Sequence, residues 1–249
     1  MEARMRAWLR NQYRRALFRP GLLSFLINPH HLSRCALWRD ISLLGAEAGS
    51  GRLLDVGCGS RPYRSLFQVD EYIGLEYDTP KNRVEKSAEL WYDGDRFPCP
   101  DASFDIVLCN QVLEHVFDPQ LFLFEVARVL RPGGRLLLTV PFVWDEHEQP
   151  HDFARYTRFG LRHLLSKAGL SVTTHRVTLD DGRVLAQLFG AMVHKRITLN
   201  LWRPFYHPVS MLIAFSVNLI GSTFGRLIPS TGDLYLDHAL LASKDGGVE

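Results

Sequence analysis

The sequence predicts an α/β protein whose core is a doubly wound, mostly parallel sheet. Short apolar runs alternate with helical stretches between residues 53 and 177, the order expected of a parallel sheet with helices on both faces. The run at residues 104–109 is almost continuously apolar, as in strands that are covered on both faces. The first run ends in the turn Gly57-Cys58-Gly59, where missing side chains let the main chain approach a ligand.

The individual elements follow from these runs in chain order. We predict strands at residues 53–56, 72–75, 90–92, 104–109, 135–140, 170–177 and 234–242. We predict helices at residues 3–18, 32–47, 62–67, 119–130, 159–168 and 183–195. Pro119 suits the first turn of a helix, and the pair Gly133-Gly134 ends the same helix.

This order of elements divides the chain of 249 residues into four segments. Residues 1–48 form an N-terminal helical segment, and residues 49–178 form the α/β core. Residues 179–232 interrupt the alternation and form a helical, apolar insertion, which would contact an acceptor, a membrane or a partner. Residues 233–249 contain the last core strand and a tail.

The composition excludes several classes of protein. A net charge of +2 argues against a protein whose whole surface binds nucleic acid. The four cysteines, Cys35, Cys58, Cys99 and Cys109, are far apart in the sequence. We therefore expect neither a disulfide framework nor a cysteine zinc site, and the pattern fits a reducing compartment such as the cytoplasm.

Two segments are candidates for peripheral membrane contact, residues 1–27 and 204–228. The predicted helix 3–18 is amphipathic and rich in arginine, so its basic face is either solvated or placed against anionic headgroups. Residues 204–225 contain no Asp, Glu, Lys or Arg. A helix there spans a membrane, lies on one, or packs on the domain or on a partner, and these alternatives stay open.

Polar residues stand at the ends of four successive predicted strands. Asp55 ends the first strand, Glu76 follows the second, Asp93 follows the third and Asn110 follows the fourth. The carboxyl ends of parallel strands share one edge of the sheet, where open α/β sheets bind ligands. Glu76 follows the first strand at the interval of about 20 residues at which dinucleotide-binding folds place a ribose-binding carboxylate. The four positions together predict a nucleoside-containing ligand.

Five blocks of sequence resemble, in order, those of class I S-adenosylmethionine-dependent methyltransferases of the group called type 11. They are residues 53–60 (LLDVGCGS), 72–76 (YIGLE), 97–107 (FPCPDASFDIV), 111–116 (QVLEHV) and 129–134 (VLRPGG). The last strand is similar to the antiparallel seventh strand of that family. The resemblance implies a seven-stranded, Rossmann-like sheet, S-adenosyl-L-methionine as cofactor, and transfer of a methyl group.

The resemblance also implies roles for the residues at the strand ends. Gly57-Cys58-Gly59 would let the main chain approach the methionine part of the cofactor, and Asp55 would order this turn. Glu76 would hold the ribose hydroxyls, and Asp93-Gly94 would bind the adenine edge. Asn110 would contact the cofactor through its main chain.

The sequence departs from the family pattern at two of these positions. Arg61 stands where the family has a third glycine, and we expect its guanidinium to face the cofactor carboxylate. Glu76 stands where aspartate is commoner and is one methylene longer. A small shift of the backbone would absorb that difference.

Candidates for a general base lie in the polar loop after the fifth strand: His147, His151, Asp152 and Tyr156. Methyl transfer requires alignment of nucleophile, methyl group and sulfur, and removal of a proton from some acceptors. Loops at this edge of the sheet are well placed to cover an acceptor. Each of the four residues equally suits a role in bracing the loop, and both interpretations stay open.

The same loop contains a pattern typical of zinc proteases. Residues 147–151 match His-Glu-x-x-His, which binds zinc only on a helix, where both histidines share one face. Pro150 lies inside the pattern and would break such a helix. We therefore predict no metal site, and the alternative that Asp152 completes one in an extended loop stays open. We expect His115 to be a structural residue at the start of a helix.

The sequence thus favours an S-adenosylmethionine-dependent methyltransferase. Its acceptor would be a small molecule, a glycan or a lipid-linked intermediate, and no nucleic acid is expected as a partner. One alternative is an NAD-type oxidoreductase on the same sheet, which would share the glycine turn and Glu76 but would not explain Asp93. The other alternative is a non-catalytic module that binds S-adenosylmethionine.

Overall fold

The structure, a computed structural model, describes Met5, residues 16–200 and residues 203–246. The predicted helix 3–18 therefore lies largely outside the described residues. Met5 and residues 16–18 are helical.

The core is a seven-stranded sheet, as predicted. Its strands are β1 (Arg52–Val56), β2 (Glu71–Tyr77), β3 (Leu90–Tyr92), β4 (Phe104–Asn110), β5 (Leu130–Pro141), β6 (Leu170–Thr178) and β7 (Asp237–Lys244). They stand in the order β3-β2-β1-β4-β5-β7-β6. Strands β1 to β5 pair in parallel, and β7 runs antiparallel to β5. This confirms the doubly wound, mostly parallel sheet and its antiparallel last strand.

The central strands are buried because they are apolar on both faces. Every residue of β1 from Leu53 to Val56 is buried, and so is most of β4. Leu54 pairs with Ile73 of β2 on one side and with Val107 of β4 on the other. These parallel neighbours carry the ends of β1, β2 and β4 to one edge of the sheet, where the polar residues stand.

Besides the helical residues 5 and 16–18, seven α-helices accompany the sheet in the described part of the chain: α1 (Leu22–Ile27), α2 (His31–Ala48), α3 (Pro80–Glu85), α4 (Pro119–Val129), α5 (Arg158–Lys167), α6 (Arg183–Asn200) and α7 (Arg203–Phe224). Helix α4 begins as predicted. Pro119 occupies its first turn, and the side chain of Asp118 accepts from the N–H of Leu121.

One predicted helix was wrong, and two helices were missed. The helix predicted at residues 62–67 is a single 3₁₀ turn, Arg64–Leu66. Helix α1 was not predicted, because its short run LLSFLI has no polar face that would reveal a helical period. Helix α3 was also missed. Its start carries a usable signal, since Thr79 accepts from the N–H of Asn82 and Pro80 stands in the first turn.

The chain divides into two compact units. The first comprises Met1–Arg39 and Thr178–Leu236, and the second comprises Asp40–Val177 and Asp237–Glu249. The predicted apolar insertion, residues 179–232, falls within the first unit. The second unit contains nearly the whole sheet and all the polar strand ends described above.

Helix α7 packs against α1 and α6 in the first unit. Two buried amides join the pieces of this unit. Asn218 of α7 donates through Nδ2 to the carbonyls of Phe25 (2.8 Å) and Asn28 (3.0 Å). Gln187 of α6 donates to the carbonyl of Pro29 at 2.9 Å. Because buried polar groups need partners, these bonds specify how the three helices pack.

Residues Phe205–Leu227 are, within the described residues, the one helical segment long and apolar enough to cross a membrane. The criterion concerns length and composition alone, and a core helix of a soluble protein can also meet it. Only 22% of the apolar window is buried inside the structure. Most residues of this segment are therefore at least partly exposed.

Candidate functional site

The glycine turn after β1 lies against the end of β2. Gly57 and Gly59 adopt φ angles of +70° and +51°, which L-residues with side chains rarely adopt. A Cβ atom on Gly57 would collide with Cγ2 of Val112, whereas one on Gly59 would meet nothing within 4 Å. Gly57 thus permits a close internal contact, while Gly59 leaves the outer side of the turn uncovered.

The N–H groups of this turn are used within the protein. Those of Gly57 and Cys58 donate to the carbonyl of Leu75, at 2.9 and 3.3 Å. The N–H of Gly59 donates to a carboxylate oxygen of Glu76 at 2.9 Å. Of these three N–H groups, only that of Gly59 donates to a side chain. The turn still allows a ligand to come close to its main chain.

Glu76 connects the glycine turn to Lys86, which follows helix α3. Its side chain is buried, and its second carboxylate oxygen accepts from Nζ of Lys86 at 3.1 Å. Because its partners come from two different loops, Glu76 is held in position at the carboxyl end of β2. A carboxylate in this place can accept hydrogen bonds from vicinal hydroxyls of a ribose.

Asp55 lies beneath the same turn and is buried. Tyr72 of β2 donates its phenolic hydrogen to Oδ2 of Asp55 at 2.5 Å. Burial raises the pKa of Asp55 to about 7, although the Tyr72 hydrogen bond and nearby Arg61 act in the opposite direction. Asp55 therefore anchors β1 to β2 below the site and does not face solvent.

Arg61 follows the turn in a left-handed conformation, with a φ angle of +54°. An arginine thus adopts a conformation that usually requires glycine. Its Nη2 donates to Oε2 of Glu89 at 2.6 Å and to the carbonyl of Ser87 at 2.7 Å. Gly74 of β2 makes room for this arrangement, because a Cβ there would come within 2.9 Å of the Arg61 guanidinium. Nη2 of Arg61 is thus held by Glu89, and contact between the guanidinium and the cofactor carboxylate stays a prediction.

The remaining predicted cofactor residues lie at neighbouring strand ends. Asp93 is exposed after β3, and its Oδ1 accepts from the N–H of Asp95 at 3.3 Å. Gly94 adopts a φ angle of +109°. Asn110 ends β4, where its side-chain oxygen accepts from Thr139 at 2.8 Å. Cys58 is buried, and burial raises the pKa of its thiol to about 11, so only its main chain belongs to the surface of the turn.

The polar loop after β5 is braced by an ion pair. Arg155 donates to both oxygens of Asp152, at 2.6 and 2.8 Å. These hydrogen bonds hold the pKa of Asp152 well below its usual range. Asp152 also accepts from the N–H of His147 at 2.9 Å. The structure therefore gives Asp152 a bracing role, and such a carboxylate is a poor proton acceptor.

The other candidate bases differ in exposure. Tyr156 is buried, it donates to the carbonyl of Leu113 at 3.3 Å, and burial raises its pKa to about 12. A phenol in that environment stays protonated near neutral pH and faces the interior. His151 is exposed, and His147 is half-buried. The two imidazoles are therefore the candidates that can reach an acceptor.

Sequence analysis missed Glu114, which lies just after β4. Its side chain is fully buried, and burial raises its pKa to about 8. Its carbonyl accepts from the N–H groups of Phe153 and Ala154, at 2.8 and 3.3 Å. The polar loop is thus attached to the turn that carries Glu114. The dipeptide Glu-His at positions 114 and 115, which follows the apolar strand β4 after three residues, was the available signal.

A family profile described as "Methyltransferase domain" matches residues 54–138. These residues run from β1 into β5 and contain the glycine turn, Glu76, Asp93 and Asn110. Residues 54–138 form a methyltransferase domain of the class I, S-adenosylmethionine-dependent family.

Relatives of known activity share this methyltransferase domain. The chain is 34% identical over 110 residues to a 27-O-demethylrifamycin SV methyltransferase from Amycolatopsis mediterranei, covering 39% of this chain and 40% of the relative. It is 32% identical over 159 residues to a demethylmenaquinone methyltransferase from Tropheryma whipplei, covering 59% of this chain and 60% of that protein. The chain thus spans less than two thirds of the length of these relatives.

A similar fold occurs in the crystal structure of the [4+2]-cyclase SpnF. The two superpose with a TM-score of 0.54 over 86% of this chain and 83% of the cyclase, at 22% identity. A likeness at this level of identity concerns the fold alone.

The cofactor of the class I methyltransferase family is S-adenosylmethionine. Three observations show that the site fits it. The outer side of Gly59 is uncovered, the Glu76 carboxylate lies 2.9 Å from the Gly59 nitrogen, and Asp93 is exposed at the end of the next strand. These positions suit, in order, the methionine chain, the ribose and the adenine edge of this cofactor.

Proposed function

We propose that this protein transfers a methyl group from S-adenosylmethionine to a nucleophilic atom of a small molecule, a glycan or a lipid-linked intermediate. The proposal depends above all on the bond between Glu76 and the N–H of Gly59. This bond supports the proposal because it holds a buried carboxylate, of the kind that binds ribose hydroxyls, beside an uncovered glycine turn at the carboxyl edge of a parallel sheet. The bound cofactor would supply a methyl group on a sulfonium, which carries its own leaving group.

The protein's part in such a reaction is binding and alignment. Glu76 and Asp93 would hold the two ends of the nucleoside, and Gly59 would allow the chain of the cofactor to lie close to the main chain. The loop at residues 142–157 would cover the acceptor, because it follows β5 at the same edge of the sheet. Fixing the reactants in line is a contribution that the protein can make to methyl transfer without supplying a reactive group of its own.

Proton removal from a hydroxyl or amine acceptor would fall to His147 or His151. Asp152 is engaged by Arg155 through two hydrogen bonds, and Tyr156 is buried and directed at Leu113. Imidazole has the pKa suited to accepting a proton near neutral pH. We expect the His147→Ala and His151→Ala variants to keep cofactor affinity, and loss of turnover in one of them would identify the base.

We further propose a lipid-linked acceptor and peripheral membrane contact in the cytoplasm. Helix α7 exposes a row of large apolar side chains: Met211, Leu212, Phe215, Leu219, Ile220 and Phe224. Helix α1 exposes Leu22, Leu23 and Leu26. Apolar surface of this extent, in a unit that also carries basic residues, suits the interface of an anionic bilayer.

An assay with methyl-labelled S-adenosylmethionine tests both proposals. The full chain is incubated with separate lipid, glycan and small-metabolite extracts, and label is measured in the organic and aqueous phases. Label in any fraction, lost in the Glu76→Gln variant, supports methyl transfer. Label in the organic phase supports a lipid-linked acceptor, label in the aqueous phase alone contradicts it, and label in neither contradicts methyl transfer to these classes of acceptor.

A flotation assay tests the membrane contact by itself. We expect the protein to float with vesicles that contain anionic phospholipid, and the Leu212→Glu/Ile220→Glu variant to stay in solution. Leu43→Glu is the control, because Leu43 is exposed on α2 and lies outside both apolar segments. Failure of the unsubstituted protein to float would contradict the membrane proposal and leave methyl transfer unaffected.

A further inference from the structure

We infer that Glu114, His115 and His147 form a binding site for a divalent transition-metal ion. Each residue offers one ligand atom, and the three atoms lie within 4.8 Å of one another. The sequence pattern had suggested His147 and His151 as a pair, and Pro150 argued against the helix that such a zinc site requires. The structure instead brings His147 to His115, with ring centroids 4.8 Å apart.

Glu114 is the first observation that points to an ion. Its side chain is 0% exposed, and neither carboxylate oxygen has a hydrogen-bond partner among the described residues. A charged carboxylate buried without a partner is strongly destabilised, and a protonated one would leave its O–H unpaired. A cation would supply the partner that the charged form lacks. The nearest ring nitrogen, Nε2 of His115, is 3.8 Å from Oε1 of Glu114.

His115 is oriented as a metal ligand should be. Its Nδ1 lies 2.6 Å from the carbonyl oxygen of His151. A carbonyl only accepts, so Nδ1 carries the hydrogen and Nε2 keeps its lone pair. That lone pair is on the nitrogen nearest Glu114. A backbone carbonyl that accepts from the other ring nitrogen is a usual outer partner of a metal-ligating histidine.

His147 is oriented in the same manner. Its Nδ1 lies 3.2 Å from the carbonyl oxygen of Asp145 and 3.4 Å from Oδ2 of Asp152, both of which are acceptors. The nearest donor, Nη2 of Arg155, is 3.4 Å away and already bonds Asp152 and the Asp145 carbonyl at shorter distances. The hydrogen therefore belongs on Nδ1, which leaves the lone pair on Nε2.

The chemistry of the three ligands selects the class of ion. Two imidazoles and one carboxylate are the protein ligands of several catalytic zinc sites and of non-haem iron sites. Magnesium and calcium prefer oxygen ligands and fit this set poorly. Ligand atoms on a tetrahedral zinc ion lie about 3.4 Å apart, given bonds of about 2.0–2.1 Å. The three ligand atoms of this cluster lie within 4.8 Å of one another. Small rotations of the two histidine rings, which are only half-buried, would bring the atoms to the spacing that zinc requires.

The position of the cluster gives the ion a place in the reaction. Glu114 and His115 follow β4, and His147 follows β5, so the cluster lies at the edge of the sheet that carries the cofactor residues. Three protein ligands leave an open coordination position. On the proposed function, on which this step rests, that position would hold the oxygen of a hydroxyl acceptor and lower its pKa. The proton would then pass to His151, because His147 would be bound to the ion.

A metal titration tests the site without cofactor or acceptor, so its outcome is independent of methyl transfer. The full chain is stripped with a chelator and titrated with ZnCl₂ by calorimetry, and Co²⁺ is added separately to record its visible absorption. We expect one high-affinity ion per chain and a tetrahedral Co²⁺ spectrum. Glu114→Gln and His147→Ala should each weaken Zn²⁺ binding at least about 10-fold.

His151→Ala is the matched control, because His151 lies in the same loop and contributes only its carbonyl. Circular dichroism establishes that each variant is folded, and Glu114→Gln preserves the shape of the side chain if His147→Ala unfolds the loop. Absence of high-affinity binding in the unsubstituted protein would overturn the inference. Binding that both ligand variants retain would also overturn it, because the ion would then sit on other histidines.

Discussion

The carboxylate of Glu76 accepts a hydrogen bond from the main-chain nitrogen of Gly59 at 2.9 Å. This bond joins the turn after β1 to the end of β2 and defines the position at which a ribose would bind. Hydrogen bonds to a charged group contribute about 1.5–3 kcal/mol. Replacing Glu76 should therefore affect ligand binding far more than replacing another glutamate of the same strand.

Glu76→Gln should weaken binding of S-adenosylhomocysteine by about 10- to 100-fold, which corresponds to about 1.4–2.8 kcal/mol. Glu71→Gln is the control. Glu71 lies at the opposite end of β2, where it forms an exposed pair with Arg52 that should contribute little. Calorimetric titration of both variants checks this, and equal affinities would refute the assigned ribose position.

Arg61→Gly should yield a more stable protein than Arg61→Ala, by about 1 kcal/mol. Both variants lose the pair with Glu89, but only glycine tolerates a φ angle of +54° without strain. Denaturant unfolding of the two variants measures the difference. Equal stability would mean that the turn relaxes out of the left-handed conformation when the guanidinium is absent.

Gly57→Ala should destabilise the protein more than Gly59→Ala. Both positions have positive φ angles, and alanine costs about 1 kcal/mol at each. At Gly57 the added methyl group also collides with Val112, which adds about 1–3 kcal/mol. The double variant Gly57→Ala/Val112→Ala should recover part of that loss in thermal unfolding. A loss that stays fully additive would show that Val112 is not the obstacle.

The buried Asp55 should make the protein less stable as the pH rises from about 4 to about 7. Its pKa is about 7 in the folded protein and about 3.8 in the unfolded chain, so the folded state binds the extra proton in this range. The stabilisation that this proton provides is complete at low pH and is lost as the pH rises through the pKa of Asp55 in the folded protein. The free energy of unfolding then falls by at most about 1.4 kcal/mol per pH unit.

Asp55→Asn should remove that slope and keep the hydrogen bond from Tyr72, because an amide oxygen also accepts. Comparing the two proteins isolates Asp55 from other titrating groups, such as His175, whose pKa is lowered to about 4 chiefly by burial. Unfolding free energies measured across the pH range provide the test. Parallel curves for the two proteins would contradict the raised pKa of Asp55.

The sheet could be predicted from sequence because its strands are local apolar runs. Residues 53–56 and 104–109 are apolar enough to predict strands that are covered on both faces. The acidic residues Asp55, Glu76 and Asp93 indicate where the first three strands end. The predicted strand at residues 135–140 is longer in the structure, since β5 already begins at Leu130 and pairs there with Phe104. A glycine pair is not typical of a strand, so the start of β5 at Leu130, before Gly133-Gly134, was missed.

The interior of the site could not be predicted in the same manner. Arg61 was recognised as a departure, but its partner Glu89 comes from another loop, and no local pattern relates the two. Glu114 and His147 are likewise brought together by the packing of two loops. Tyr156 is polar and lies near two histidines in sequence, and only the structure shows that its hydroxyl is turned inward. Such contacts depend on tertiary packing, which residue spacing does not encode.

Titration of the full chain with S-adenosylhomocysteine and, separately, with NAD tests the central claim most directly. We expect S-adenosylhomocysteine to bind with a stoichiometry of one per chain, and NAD to show no saturable binding. Tight binding of NAD, or failure of S-adenosylhomocysteine to bind, would contradict the assignment of this site to a methyl-donor cofactor.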